Sequence, residues 1–254
     1  MKPDWQRLRR GETLIGSFLS TGSTISAEII GMAGFDFVIL DLEHGMGSER
    51  DALAQLQALD HTPAAAIVRV ESHERQRVHR VLDLGAHGIM FPRVNSAGEA
   101  RACVASMRYP PDGVRGVAVM VRASGYGADF PGYRDGTKSS LISLIQIETA
   151  GAVADVDAIA AVEGVDVLFV GPMDLSTSLG VFRQYDHPKF VDAIDRTLAA
   201  AKRHNRTVAI LISSPAEFRR YWDLGFRMIT CGTDVSFLKS AAQQTASQMR
   251  AQCV

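Results

Sequence analysis

Eight short apolar runs, each followed by a longer amphipathic one, constrain this chain more than any other feature of its sequence. The apolar runs are "TLIGSFLS" (13–20), "FDFVILDLEH" (35–44), "AAAIVRV" (64–70), "HGIMFPRV" (87–94), "SLISLIQIET" (140–149), "VDVLFVGP" (165–172), "TVAILIS" (207–213) and "FRMITCGTD" (226–234). Helical patterns fill the intervals, from "STISAEIIGMAG" to the closing "VSFLKSAAQQTASQMRAQ". Gly34, Gly85, Gly164 and Gly225 stand where a helix needs a C-terminal cap before the next strand. Eight strand-helix units in 254 residues fit a single (β/α)8 TIM barrel, and no G-x-G-x-x-G turn follows a strand to favour a dinucleotide fold.

The span 109–139, "YPPDGVRGVAVMVRASGYGADFPGYRDGTKS", breaks the rhythm. It is rich in Gly and Pro and long for a structureless loop, so it reads as a functional loop or lid, or else as an insertion without a role. With a formal net charge of −1, no global field draws the chain to nucleic acid or anionic lipid. No apolar run reaches the roughly 18 residues that span a bilayer, and the first residues lack a signal-peptide pattern, so a cytosolic protein is expected. Cys103, Cys231 and Cys253 are far apart and suggest neither disulfides nor a zinc-thiolate site.

In such barrels chemistry gathers at the carboxyl ends of the strands. The polar residues there are Asp41, Glu43 and His44, Arg69, Arg93, Gln146 and Glu148, and Asp174. Glu148 and Asp174 are too few carboxylates to enclose calcium but suit Mg²⁺ or a similar ion that keeps positions open for substrate oxygens. Each also has a plainer reading, as an arginine partner or, for Asp174, as a cap of the helix that follows. His44, the histidine placed at a strand end, suits proton exchange near neutral pH, and a structural or metal-ligating role stays open. Arg69 in an apolar strand needs an anion, either a substrate carboxylate or an internal partner, Asp41 or Glu43. None of the five lysines falls at a strand's carboxyl end, so Schiff-base chemistry has no evident nucleophile. Base, ion and arginine together describe proton abstraction beside a carbonyl, with the ion stabilising a 2-oxo acid's enolate.

The segments "FDFVILDLEHG", "VRV", "VLDLGAHGIMFPRV", "RYPPDGVRGV", "VRAS", "QIET" and "VGPMDLS" resemble, in order and spacing, the HpcH/HpaI-type class II pyruvate aldolases. That resemblance implies a (β/α)8 barrel whose last helix is exchanged between subunits of a trimer-of-dimers hexamer. It implies that Glu148 and Asp174 hold a divalent ion (Mg²⁺, Mn²⁺ or Co²⁺) and that His44 exchanges protons with support from Asp83. Arg69 then stabilises the pyruvate enolate, and Gln146, Met173 and Asp174 line the pyruvate site. The expected reaction is reversible cleavage of a 4-hydroxy-2-oxo acid to pyruvate and an aldehyde. A CoA-thioester lyase or an oxaloacetate decarboxylase on the same template is the nearest alternative, and a non-catalytic metabolite-binding barrel the more distant one. The chain departs from the family at Ser124, Gly125 and Tyr126 and at Ala118, which leaves the aldehyde side less defined than the pyruvate side.

Overall fold

The structure is a computed structural model describing residues 4–253. Strands β1 (Leu14–Leu19), β2 (Phe37–Asp41), β3 (Ala65–Arg69), β4 (Gly88–Phe91), β5 (Ile142–Ile147), β6 (Val167–Val170), β7 (Thr207–Ile212) and β8 (Met228–Thr233) each pair with the next, and β8 pairs in parallel with β1 to close a barrel. All eight lie within the apolar runs named above. The four glycines expected to end helices adopt φ between +91° and +109°, a conformation that costs a residue with a Cβ.

Alternation along each strand sorts side chains between two cores. Phe37, Ile39, Ile67, Leu144 and Phe169 point into the barrel, whereas Val38, Leu40, Val68, Ile145 and Leu168 pack outward beneath the helices. The same parity carries Asp41, Arg69, Gln146 and Glu148 inward at the strands' carboxyl ends. At the opposite end Trp5, just before the short helix Gln6–Arg9, and Leu8 within it join the inner core, and the Trp5 indole N–H donates to the Ser140 carbonyl at 3.1 Å. The barrel is therefore a filled vessel, closed at its amino-terminal end. Gly16 permits that filling, because a Cβ there would come within 2.5 Å of the Phe37 ring.

The 109–139 span is more ordered than its composition suggests. Its second half is a helix, Phe130–Ser140, preceded by a 3-10 turn at Arg122–Ser124. Two glycines and no apolar period hide the helix, yet its start carries the usual signals: the Asp129 side chain accepts from the Gly132 N–H at 2.9 Å and Pro131 follows in the first turn. The first half is anchored by Arg115, whose guanidinium is fully buried, donates to Asp83 Oδ1 and to the Tyr133 hydroxyl at 2.8 Å each, and lies 4.6 Å from the Tyr109 ring centroid. A buried cation needs such partners to offset its lost hydration.

The C-terminal helix, Asp234–Ala251, is pinned at its root. Asp234 accepts from the Ser20 and Thr21 backbone N–H groups and from the Thr21 hydroxyl. Beyond the root it stands clear of the barrel, with every residue from Phe237 to Cys253 exposed.

Candidate active site

Asp41 and Arg69 are register partners at the ends of β2 and β3, so a bidentate pair forms there without adjustment. Arg69 donates through Nε to Asp41 Oδ1 at 2.9 Å and through Nη2 to Oδ2 at 2.6 Å, while Nη1 stands 3.0 Å from Glu43 Oε2. Its cation also faces the Phe18 ring, 5.2 Å from the centroid. Three of the five guanidinium N–H donors are committed in this way, leaving one on each terminal nitrogen for an anion. Asp41 Oδ1 further accepts from the backbone N–H groups of Glu43 and His44, both at 3.1 Å, which sets the turn that presents His44. Burial raises the Asp41 pKa, but the Arg69 guanidinium and those two N–H groups outweigh it and leave the carboxyl below its ordinary range. Burial dominates at Glu43, whose pKa is raised despite Arg69.

Glu148 follows β5 and is buried. Its Oε1 accepts from the Arg93 backbone N–H at 2.6 Å and its Oε2 from Gln146 Nε2 at 2.7 Å. Gly171 completes the cradle, since a Cβ there would stand 2.9 Å from Oε2. Burial pushes the Glu148 pKa up to about 7; the Arg93 N–H opposes this, and the nearby Glu43 and Asp174 carboxylates add to it. Three acidic groups thus share one space whose arginine is already engaged.

Asp174 lies in the first turn of the helix Pro172–Ser178 and does not cap it: the N-cap is Gly171, and the Asp174 carboxylate makes no hydrogen bond among the described residues. Met173 beside it is 45% exposed at the same rim. The structure therefore favours a free carboxylate at this position over the capping alternative. For Arg69 the internal ion pair exists, and with both candidate partners.

His44 is exposed at the rim, its Nε2 3.8 Å from Glu43 Oε2. Asp83 is elsewhere within the same chain. It ends the helix Arg75–Asp83, which starts after the carboxyl end of β3 and runs back toward the amino-terminal end, and its partner is Arg115. Sequence reasoning left unrecognised the backbone N–H of Arg93 as a Glu148 donor; the non-glycine φ of +54° at Arg93 has no signature in the sequence.

A divalent cation is consistent with this donor set. The Gln146 Oε1 atom is buried without a hydrogen-bond partner, and Glu148 is an acid held in a dry cradle by two neutral donors while other acids press on it. Among the described residues no group of three or more His, Cys, Asp or Glu side chains is placed to hold a metal. The protein would thus contribute Glu148 and Asp174, with water and substrate oxygens completing the shell, as Mg²⁺ commonly requires.

Arg69, His44, the buried Glu148 and the exposed Asp174 stand at the carboxyl rim of the barrel, where (β/α)8 enzymes carry their chemistry. The chain belongs to the HpcH/HpaI aldolase/citrate lyase family, whose sequence model matches residues 14–241. It is 38% identical over 236 residues to the 5-keto-4-deoxy-D-glucarate aldolase of Klebsiella pneumoniae, covering 93% of this chain and 92% of that protein. Among solved structures it resembles an HpcH/HpaI aldolase/citrate lyase family protein of Burkholderia cenocepacia J2315 (TM-score 0.92, 40% identity, 96% and 98% of the two chains). It also resembles the HpcH/HpaI aldolase of Desulfitobacterium hafniense DCB-2 (TM-score 0.91, 28% identity, 98% and 97%).

Proposed function

We propose that this aldolase cleaves a 4-hydroxy-2-oxo acid to pyruvate and an aldehyde, with a divalent ion held by Glu148 and Asp174. The observation that carries the reading is the buried Glu148 cradle, in which an acid is desolvated, oriented by Gln146 and Arg93, and flanked by Asp174. The relatives' named substrate has matching chemistry. Glucarate is a six-carbon chain with a carboxylate at each end, and a keto group at carbon 5 with no hydroxyl at carbon 4 makes one end a 2-oxo acid with a hydroxyl two carbons beyond the ketone.

A bound divalent ion supplies charge neutralisation for the pyruvate enolate, a contribution of several kcal/mol in such sites. The two uncommitted N–H groups of Arg69 face the same negative charge. Gln146, Met173 and Asp174 line the pyruvate side. His44 accepts the C4 hydroxyl proton during cleavage, and a proton is returned to C3 as pyruvate forms. Asp83 does not meet His44 within a chain, so its support of the imidazole requires the Asp83 of a second copy.

Such an assembly has surfaces ready for it. The helix Thr24–Met32 exposes Ile25, Ile29 and Met32, one apolar stripe at helical spacing, and the C-terminal helix stands clear of its own barrel. Exchange of that helix within a hexamer would bury both. Among the described residues no helix is long and apolar enough to cross a membrane, consistent with a cytosolic enzyme acting on small molecules.

The test is pyruvate release from a panel of 4-hydroxy-2-oxo acids with Mg²⁺, Mn²⁺ or Co²⁺ and after chelation. Turnover is expected to need the ion, and Glu148→Ala to lose both turnover and calorimetric metal binding. Full turnover in the chelated protein sinks the reading.

A further inference from the structure

The amino-terminal end of the barrel carries a cavity that the proposed chemistry does not use. A cleft of about 690 Å³ opens where β5 to β8 begin, between the helix Gln6–Arg9 and the carboxyl ends of the helices Pro188–Arg203 and Phe218–Leu224. Its volume is that of a small-molecule site. Trp5 and Leu8, which close the barrel, are among its lining residues, and Glu148 and Asp174 lie at the opposite end.

The charge of this cleft is one-sided. Arg9, Lys202, Arg206 and Arg227 line it, and Asp166 is the one acid among its lining residues. Asp166 is occupied by Ser143, whose backbone N–H and hydroxyl donate to Oδ2 at 2.9 and 3.3 Å. None of the four cations has a carboxylate partner among the described residues. Arg206 donates to the Ala160 and Val162 carbonyls at 2.8 and 3.0 Å, and Arg227 to those of Trp222 and Phe226 at 2.9 and 2.8 Å. Arg9 and Lys202 are exposed and make no hydrogen bond or ion pair among the described residues. An adjoining cleft shows the contrast: its own cations, Arg108 and Lys138, are paired with Glu163 and Asp112. A plainer role for Arg206 and Arg227 is to close helix carboxyl ends, where a cation is favoured. That role uses two of the five N–H donors of each guanidinium and leaves three, and it explains neither Arg9 nor Lys202. A cleft lined by one sign of charge concentrates ions of the other sign.

We propose that this cleft binds a multiply charged organic anion of metabolite size, its phosphate or carboxylate groups held by Arg9, Lys202, Arg206 and Arg227 and its carbon skeleton laid against Leu198 and Leu224. The site is separate from the catalytic mouth and does not depend on the reaction proposed there. An anion that joins Arg9 on the amino-terminal helix to Arg206 and Arg227 on the barrel clamps that helix in place, so binding stabilises the fold.

The experiment is calorimetry and thermal unfolding of the full-length protein with pyrophosphate or citrate, against sodium chloride at equal ionic strength. The two probes carry several negative charges on phosphates or on carboxylates, so they separate the two sources. At least one is expected to bind and to raise the unfolding midpoint. Binding by one alone names the class, and binding by both means that the cleft reads charge. Arg9→Gln/Lys202→Gln removes two cations that hold nothing in the free protein, so its own midpoint should match the wild type's. Its Kd for the bound anion should rise by about tenfold or more, as loss of charge-assisted contacts requires. Arg50→Gln/Lys189→Gln, which loses the same charge from exposed residues outside the cleft, should bind as the wild type does. No binding of either anion, an unchanged Kd in Arg9→Gln/Lys202→Gln, or equal weakening in both double variants overturns the assignment.

Discussion

Arg69, on the proposed reading, is a side chain made ready for an anion before any substrate arrives. Its pairing with Asp41 is set by strand register, and its contacts with Glu43 and Phe18 fix the plane of the guanidinium, so the two free N–H groups are oriented at no cost during the reaction. His87 shows a contrasting use of an ionisable group. It precedes β4, its Nδ1 accepts from the Ala66 N–H at 3.0 Å, and burial lowers its pKa to about 4. The native ring is therefore neutral where the unfolded chain's histidine, with a pKa near 6.5, takes up a proton. Between those two values the unfolded state binds more protons, so stability falls as pH drops from 6.5 toward 4. His87 should account for a loss of about 2 kcal/mol between pH 7 and pH 5. Urea unfolding of His87→Gln at the two pH values should show a difference smaller by that amount; an equal difference in variant and wild type rules the account out.

At the scale of elements, the strands were legible because most of their residues are buried on both faces and each apolar run is short and bounded by turn residues. The carboxyl-end residues were legible for the same reason, since parity along a buried strand leaves few ways to place a charge. Asp174 was readable as a cap or as a free carboxylate from sequence, and the preceding glycine, which takes the N-cap position itself, decides between them. Asp83 carries no local signal at all: its position depends on where a helix ends and on what lies opposite in another part of the chain. The helix Phe130–Ser140 was obscured by its glycines, although Asp129 and Pro131 marked its start. Asp129→Ala should therefore cost about 1 kcal/mol in thermal or urea unfolding, while Asp129→Asn, which can still accept from Gly132, should cost less. Equal effects of the two would mean that the cap contributes nothing.

Across the whole molecule, the barrel is complete in one chain, and its surface carries what the proposed assembly would cover. An exposed apolar stripe on one helix and a second helix projecting into solvent are unfavourable in isolation. Ending the chain after Ser240 removes a stretch that is exposed throughout, so a monomer should lose little stability. The expected result by light scattering is a smaller particle than the full-length protein forms, and an unchanged mass would show that the helix does not hold copies together.

Trp5 and Leu8 stop up the amino-terminal end, and aromatic rings occupy the middle. Reactants and products consequently share a single doorway. On the proposed reading, whatever is held by Arg69 and Glu148 stands behind whatever touches His44, so departure becomes a queue: the aldehyde has to go before pyruvate can follow, and fresh pyruvate has to settle before an acceptor shuts it in.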